Sequence, residues 1–198
     1  MTTFLASLHR RAAEVCPRIV FPEGTDARTL EAIGEIVAAG IARPLVLIPD
    51  RTHVAAVHAR GAEALIPAKS PQIAAVAERL ALWARERSRD EAEARAQATH
   101  PLAFANALVA LDEADACVAG AVHTTADVLR WALRLIGASA ASQSVSGAFY
   151  LVAPASGATW PQEVLTLRRF QSVAEPERRA VVRHRDRCRH RPTADRRR

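Results

Sequence analysis

The sequence predicts an α/β fold with a largely parallel sheet, and three observations carry this prediction. Short apolar runs rich in β-branched residues alternate with longer segments of helical period. The links between them are short and contain Gly, Pro, Asp or Ser. The alternation shows no internal repeat. Strands that alternate with helices through short connections form βαβ units, and the strands of such units run parallel.

The predicted strands are apolar runs bounded by turn residues. They cover residues 18–21, 44–48, 63–66, 115–119 and 148–152. The segment Pro22-Glu23-Gly24-Thr25 is expected to turn the chain after the first strand, because Pro and Gly favour turns.

Helical spacing of apolar residues predicts the remaining elements. Helices are expected at 2–15, 26–40, 50–61, 70–97, 101–111 and 125–136. Asp26, Asp50 and Ser70 are suitable N-caps, and Gly40 and Gly137 are suitable stops. The 70–97 region is expected to be one long, strongly charged helical region. Its apolar face is formed by Ile73, Val76, Leu80 and Trp83.

Composition is that of a cytoplasmic protein with a sizeable core. Apolar residues make up 49% of the 198 residues. The sequence contains no run of 18 apolar residues, so no membrane helix is predicted. Charged residues within the first 20 positions exclude a signal-peptide core. The three cysteines are widely spaced and form neither a metal pattern nor a disulfide framework. We therefore expect no membrane contact and no bound metal.

The basic charge is concentrated at one end of the chain. Residues 167–198 contain 12 Arg and four acidic residues, so they carry a net charge of +8, whereas the other residues carry −2 and the whole chain +6. The rest of the chain is mildly acidic. An Arg-rich segment is typical of nucleic-acid binding, but here it lies wholly outside the predicted α/β elements.

Residues 112–130 form the stretch of the sequence that most suggests a binding site. An apolar strand leads to Gly120, which permits a sharp turn, and Thr124 or Thr125 can cap the following helix. Arg130 lies at the end of the second turn of that helix. A strand, a turn of small residues and a helix N-terminus form a corner where anions bind in α/β sheets. We call residues 120–130 the anion corner; an ordinary strand–loop–helix has the same pattern.

The familiar catalytic motifs are missing from the sequence. It contains no Walker A loop, no G-x-G-x-x-G after a strand, no H-E-x-x-H and no G-x-S-x-G. His123 precedes the predicted helix and is interpreted either as an acid–base group or as a capping residue. Cys117 lies inside an apolar strand and is interpreted as a packing residue rather than a nucleophile.

Two collinear blocks resemble the phosphate acetyltransferase/phosphate butyryltransferase family. The first, residues 18–48, contains R-I-V-F-P-E-G-T-D-A-R, a helix that ends G-I-A and a strand that begins with Pro. The second contains P-L-A-F-A-N-A-L-V and then A-D-A-C-V-A-G-A-V-H-T-T-A-D-V-L-R. The resemblance covers about residues 15–153.

The resemblance implies a three-layer α/β/α fold similar to isocitrate and isopropylmalate dehydrogenases, with the active site in a cleft between two domains. It also implies the reaction acetyl-CoA + phosphate ⇌ acetyl phosphate + CoA, with coenzyme A as a substrate and without a bound cofactor. The full-length protein is expected to be a homo-oligomer that binds small molecules and not nucleic acid.

Substrate-binding residues follow from the matched motifs. Arg130 matches the arginine of T-T-A-x-x-x-R, and Thr124, Thr125 and Gly120 are expected to bind substrate beside it. Arginines are suited to phosphate groups. A second family arginine near CoA corresponds loosely to Arg85 or Arg87; the alternative is a solvated face paired with Glu86 and Asp90. Glu23, Asp26 and Arg28 match the first block, in either a structural or a functional role. Two positions depart from the family pattern, Glu113 for Gly and Trp131 for Pro.

The resemblance ends near Leu167. Read one nucleotide out of frame with suitable codons, the Arg-rich segment resembles the family's continuation, which implies a frameshift near that residue. The alternative is a genuine basic tail. We therefore expect a partial enzyme domain at 1–166, a disordered or frameshifted tail at 167–198, and catalytic residues beyond residue 198, so that this chain is inactive. The alternative functions are phosphate butyryltransferase, a malic-enzyme-type fused domain fragment, and a non-catalytic ligand-binding domain with a basic tail.

Overall fold

A computed structural model describes residues 3–138, 148–152 and 164–168. Residues 9–137 form one compact unit, and the strands at 148–152 and 164–168 belong to a second unit. Most of the Arg-rich segment, including residues 169–198, lies outside the described residues.

The first unit contains a four-stranded parallel sheet. Its strands are β1 (Arg18–Phe21), β2 (Arg43–Leu47), β3 (Glu63–Leu65) and β4 (Ala116–Cys117), in the order β3-β2-β1-β4. Ile19 pairs with Pro44 of β2 on one side and with Ala116 of β4 on the other. The chain therefore builds outward from β1 in one direction and then returns to the other side of β1.

The described residues contain seven helices and three short 3-10 turns; α1 precedes the sheet, α7 follows it, and the others connect its strands. The helices are α1 (Thr3–Val15), α2 (Ala27–Ala39), α3 (Val54–His58), α4 (Ile73–Arg85), α5 (Glu91–Ala96), α6 (Pro101–Ala110) and α7 (Thr125–Leu135). The predicted caps are confirmed at α2, where the Asp26 side chain accepts the Thr29 N–H and Gly40 ends the helix at a φ of 65°. Gly137, at a φ of 80°, follows α7 as predicted.

The sheet is covered on both faces, which confirms the predicted three-layer α/β class. Leu45 and Leu47 of β2 pack in a core with residues of α4, α6 and α7. Val46 and Ile48 pack in a second core with residues of α2 and α3. Alternate residues of a strand point to opposite faces, so one strand serves both cores. Helix α6 is apolar on all sides, and its residues 102–108 are buried accordingly.

Two predicted elements are wrong in extent. The strand expected at 115–119 is limited to Ala116–Cys117. The region 70–97 forms two helices, because Ser88 takes a φ of 52° after α4 and Asp90 caps a new helix through the N–H groups of Ala92 and Glu93. Ser70 also does not cap α4 directly. Its hydroxyl accepts the Gln72 N–H, and the helix begins at Ile73.

The second unit contains a β-hairpin-like pair. Strand β5 (Ala148–Val152), which the sequence predicted, pairs antiparallel with β6 (Val164–Arg168). The ladder extends to residue 168, two residues beyond the boundary predicted at 166. This strand pair, unlike the sheet of the first unit, is not parallel.

Candidate functional site

An open cavity of about 410 Å³ lies at the carboxyl ends of the parallel strands. Its walls are residues 22–25 after β1, residues 47–49 at the end of β2, residues 67–68 after β3, and residues 122–123 after β4, together with Thr99 and Pro101. The chain reverses its strand order between β1 and β4. Ligands of open α/β sheets bind at such a switch point, so this cavity is the candidate site.

The carboxylate of Glu23 accepts hydrogen bonds from the backbone N–H groups of the loop that follows β4. One carboxylate oxygen accepts the N–H groups of Gly120 and Ala121 at 3.0 and 2.8 Å. The other accepts those of Val122 and His123 at 3.0 and 2.8 Å. The backbone donors that the sequence pattern assigned to a bound anion are thus occupied by a side chain of the protein itself.

The charge of Glu23 is stabilised by these contacts. The residue is 6% exposed, and burial alone would raise its pKa. Hydrogen bonds from the backbone of the loop and from the His123 ring outweigh burial and lower the pKa to about 2. Glu23 is therefore ionised throughout the physiological range, although sequence reasoning left its role open.

Asp26 and Arg28 tie the turn after β1 to the same loop. The Arg28 guanidinium donates to Asp26 at 3.1 Å and to the carbonyl of Ala121 at 2.6 Å. The hydrogen bond from Arg28 lowers the pKa of Asp26, with the Thr29 N–H as the next cause. Asp26 and Arg28, which belong to the first family block, thus have a structural role.

The predicted substrate residues of the anion corner lie together, but several of their donors are engaged. Gly120, at a φ of 113°, directs its N–H to Glu23. The Thr124 hydroxyl accepts the Asp127 N–H at 3.2 Å and donates to the Asp127 carboxylate at 2.7 Å. Thr125 begins α7 and is exposed.

Arg130 remains accessible on α7. Its side chain is 53% exposed and donates through Nη1 to Asp127 at 2.5 Å. A guanidinium has five N–H donors, so this contact leaves most of its capacity for a ligand. None of the predicted substrate residues lines the 410 Å³ cavity; Gly120 and Thr124 flank Val122 and His123, which do.

Arg85 is the last residue of α4, and Arg87 follows it. Both are far from the anion corner in the sequence. Arg85 forms a two-pronged ion pair with Glu91, at 2.8 and 2.7 Å. Arg87 contacts Glu86 at 3.3 Å, as the solvated-face alternative predicts, and lies 5.5 Å from the Trp83 ring centre. Asp90, the other expected partner, caps α5 instead.

A cluster of cations and rings around Trp83 was missed by sequence reasoning. The Arg134 guanidinium lies 4.9 Å from the Trp83 ring centre and 5.0 Å from that of Trp131, and Arg89 lies 5.7 Å from Trp83. Burial and then the charges of Arg130 and Arg89 lower the pKa of Arg134. Within the described ranges, neither Arg89 nor Arg134 has a carboxylate partner. The only available sequence signal was Trp131, which departs from the family's Pro.

The Cys117 thiol agrees with the packing role expected from the sequence. Burial, and secondarily the charge of Glu23, raise the pKa of the Cys117 thiol to about 12, which agrees with a packing role. Across residues 3–138 and the two described strands beyond them, no group of three His, Cys, Asp or Glu side chains is arranged to hold a metal ion. No helix in the same part of the chain has the length and apolarity needed to cross a membrane.

Comparison with known proteins agrees with this architecture. Two solved structures share the fold, a phosphotransacetylase from Streptococcus pyogenes (TM-score 0.68, 23% identity, 84% of this chain and 51% of that one) and the EutD phosphotransacetylase from Staphylococcus aureus (TM-score 0.66, 24% identity, 82% and 49%).

Sequence relatives extend the comparison. Phosphate acetyltransferases from Deinococcus radiodurans and Paracoccus denitrificans are each 32% identical over 158 residues. The matched region covers 77% and 78% of this chain, but only 22% and 46% of those relatives. The profile of the family described as Phosphate acetyl/butaryl transferase matches residues 3–176. The resemblance stated from the two sequence blocks is confirmed, and the chain belongs to this family.

Proposed function

We propose that this protein serves the reaction acetyl-CoA + phosphate ⇌ acetyl phosphate + CoA, with acetyl-CoA as a substrate and no resident cofactor. The observation that carries the proposal is the family match over residues 3–176, together with relatives named phosphate acetyltransferase. The chain spans between a fifth and a half of those relatives. The described residues are therefore proposed to bind the anionic groups of the substrates, and residues 1–198 alone to be inactive in acyl transfer.

Arg130 is the residue that we propose to bind a substrate phosphate, with Thr125 beside it. The support is its exposure and its spare donors, whereas the donors of Gly120 and Thr124 serve Glu23 and Asp127. Guanidinium–phosphate contacts are strong because both groups are charged and geometrically matched. Arg85 and Arg87 are proposed only as a secondary CoA contact, since Arg85 would first have to leave Glu91.

Butyryl-CoA is the second candidate substrate, because the family description names both acyl groups. We further propose a cytoplasmic location and homo-oligomeric assembly for the complete enzyme. The tail at 167–198 is proposed to be either frameshifted or genuinely basic. Its first two residues continue β6, and resequencing around codon 167 separates the two cases.

Calorimetric titration of the chain with CoA and with inorganic phosphate tests the proposal. Arg130→Ala should weaken binding, since the loss of one charge-assisted contact costs about 1.5–3 kcal/mol, or roughly tenfold to a hundredfold. Arg10→Ala, on the exposed surface of α1, is the matched control and should bind as the unsubstituted chain does. Equal affinities for the two variants would refute the assignment of Arg130. Acetyl-CoA and butyryl-CoA, titrated in parallel, distinguish the two acyl groups.

A further inference from the structure

The candidate site contains a carboxylate–imidazole pair that the family match does not assign. The Nδ1 atom of His123 lies 2.8 Å from an Oε1 atom of Glu23. An ionised carboxylate can only accept hydrogen bonds. The Nδ1 atom of the neutral ring must therefore carry the proton, and the Nε2 atom keeps its lone pair.

The His123 side chain is partly exposed at the cavity. It is 26% exposed, compared with 3% for Glu23, and it forms part of the wall of the 410 Å³ cavity. Two other titratable groups lie near the ring. His100 has its ring centre 6.0 Å away, and Asp127 is close enough for the charge of His123 to act on it. The carboxylate of Glu23 is the group that hydrogen-bonds the ring directly.

The contact of the ring with Glu23 is additional to the backbone contacts that hold the loop. Glu23 already accepts four backbone N–H groups, two on each oxygen. The contact with the ring is a fifth hydrogen bond, and it fixes the orientation and the tautomer of a partly exposed side chain. A carboxylate that orients a histidine is a recurrent arrangement in proton-transfer sites.

We propose that Glu23 positions His123 so that its Nε2 atom exchanges a proton with inorganic phosphate in the cavity. This inference rests on the proposed function. As a phosphate oxygen bonds to the acyl carbon of acetyl-CoA, the proton of HPO₄²⁻ passes to Nε2 and the C–S bond breaks. The departing thiolate then takes that proton and becomes CoA–SH. Atoms and charges balance without a further reactant, and Glu23 acts only through His123.

The test uses the 198-residue chain labelled with ¹⁵N in its histidines and observed by NMR. His123→Gln identifies the signal of His123 by its loss. The neutral ring should show the chemical shifts of the Nδ1–H tautomer. Inorganic phosphate should raise the midpoint of the His123 titration by about one pH unit, because a nearby anion stabilises the imidazolium. His58, exposed at the end of α3, is the internal control and should not move.

Three results would overturn the inference. An Nε2–H tautomer at His123 would show that Glu23 does not hold the Nδ1 proton. If calorimetry shows that phosphate binds but the His123 midpoint does not shift, the proposed proton exchange is refuted. The proposed function is unaffected by that result. Absence of phosphate binding would count against the proposed function itself, and this inference would fall with it. Because these measurements are made on the unsubstituted chain, they do not depend on a variant that folds poorly.

Discussion

Replacing Glu23 with Gln should destabilise the first unit in a way that depends on pH. The carboxylate accepts four backbone N–H groups and is 6% exposed. An amide of the same shape has one oxygen to accept hydrogen bonds and presents its NH₂ group to donors that cannot pair with it. The loop at 120–123 therefore loses part of its anchoring when the charge is removed.

The size of the effect follows from the pKa of Glu23. A pKa lowered from 4.5 to about 2 corresponds to about 3 kcal/mol of preference for the charged form in the folded state. Because the folded-state pKa lies below the unfolded one, this stabilisation is complete above about pH 4.5 and is lost as pH falls towards 2. The difference in unfolding free energy between the two proteins should be about 3 kcal/mol at pH 7 and about 2 kcal/mol smaller at pH 3.

Urea unfolding followed by tryptophan fluorescence measures this difference, because Trp83 and Trp131 both lie in the first unit. Other carboxylates also lose stabilisation in acid, so the informative quantity is the difference between the two proteins at each pH. Glu35→Gln, on the exposed face of α2, is the control and should change the unfolding free energy little at either pH. A Glu23→Gln deficit that is the same at pH 7 and pH 3 would refute the electrostatic explanation.

Two further results are expected. Gly24→Ala should lower the unfolding free energy by about 3 kcal/mol, because its Cβ would lie 2.3 Å from the backbone oxygen of Leu47. Gly34→Ala, inside α2 with its nearest neighbour at 3.7 Å, should instead raise it by about 1 kcal/mol. Urea midpoints decide both, and the reverse order would contradict the packing described. Cys117 should resist iodoacetamide at pH 8 until the chain is unfolded, since its thiol pKa is raised to about 12; mass spectrometry that finds native-state modification would show that the strand opens.

The fold was predictable where the determinants are local. The run 18–21 is apolar and β-branched and forms β1 with the predicted bounds. Asp26 and Gly40 are residue types whose preferences match the caps that they form. The break between α4 and α5 was not predictable from periodicity, because helix-forming charged residues run through it. It depends on the left-handed backbone of Ser88, which the sequence pattern does not indicate.

The anion corner was predicted from the sequence, but the cavity beside it and the carboxylate that occupies its donors were not. Parallel strands end at one edge of the sheet, but it is the pairing of β1 with β4 that makes Glu23 and Gly120 neighbours in space. The local pattern of 112–130 indicates backbone donors for an anion, without indicating which anion. The anion is the carboxylate of Glu23, which lies 97 residues before Gly120 in the chain. Only the tertiary structure shows that pairing.

The position of Glu23 leaves the loop of the anion corner with its backbone donors occupied. The charge of Glu23 neutralises the loop donors that would otherwise favour an outside anion. Arg130 is the exposed guanidinium in the anion corner, and the charges of Arg89 and Arg130 both act on Arg134. Three cations that repel one another are relieved by an anion that binds among them. The fold thus uses a fixed internal anion to order the loop. Beside it, Arg130 is paired with Asp127, while Arg89 and Arg134 have no carboxylate partner among the described residues.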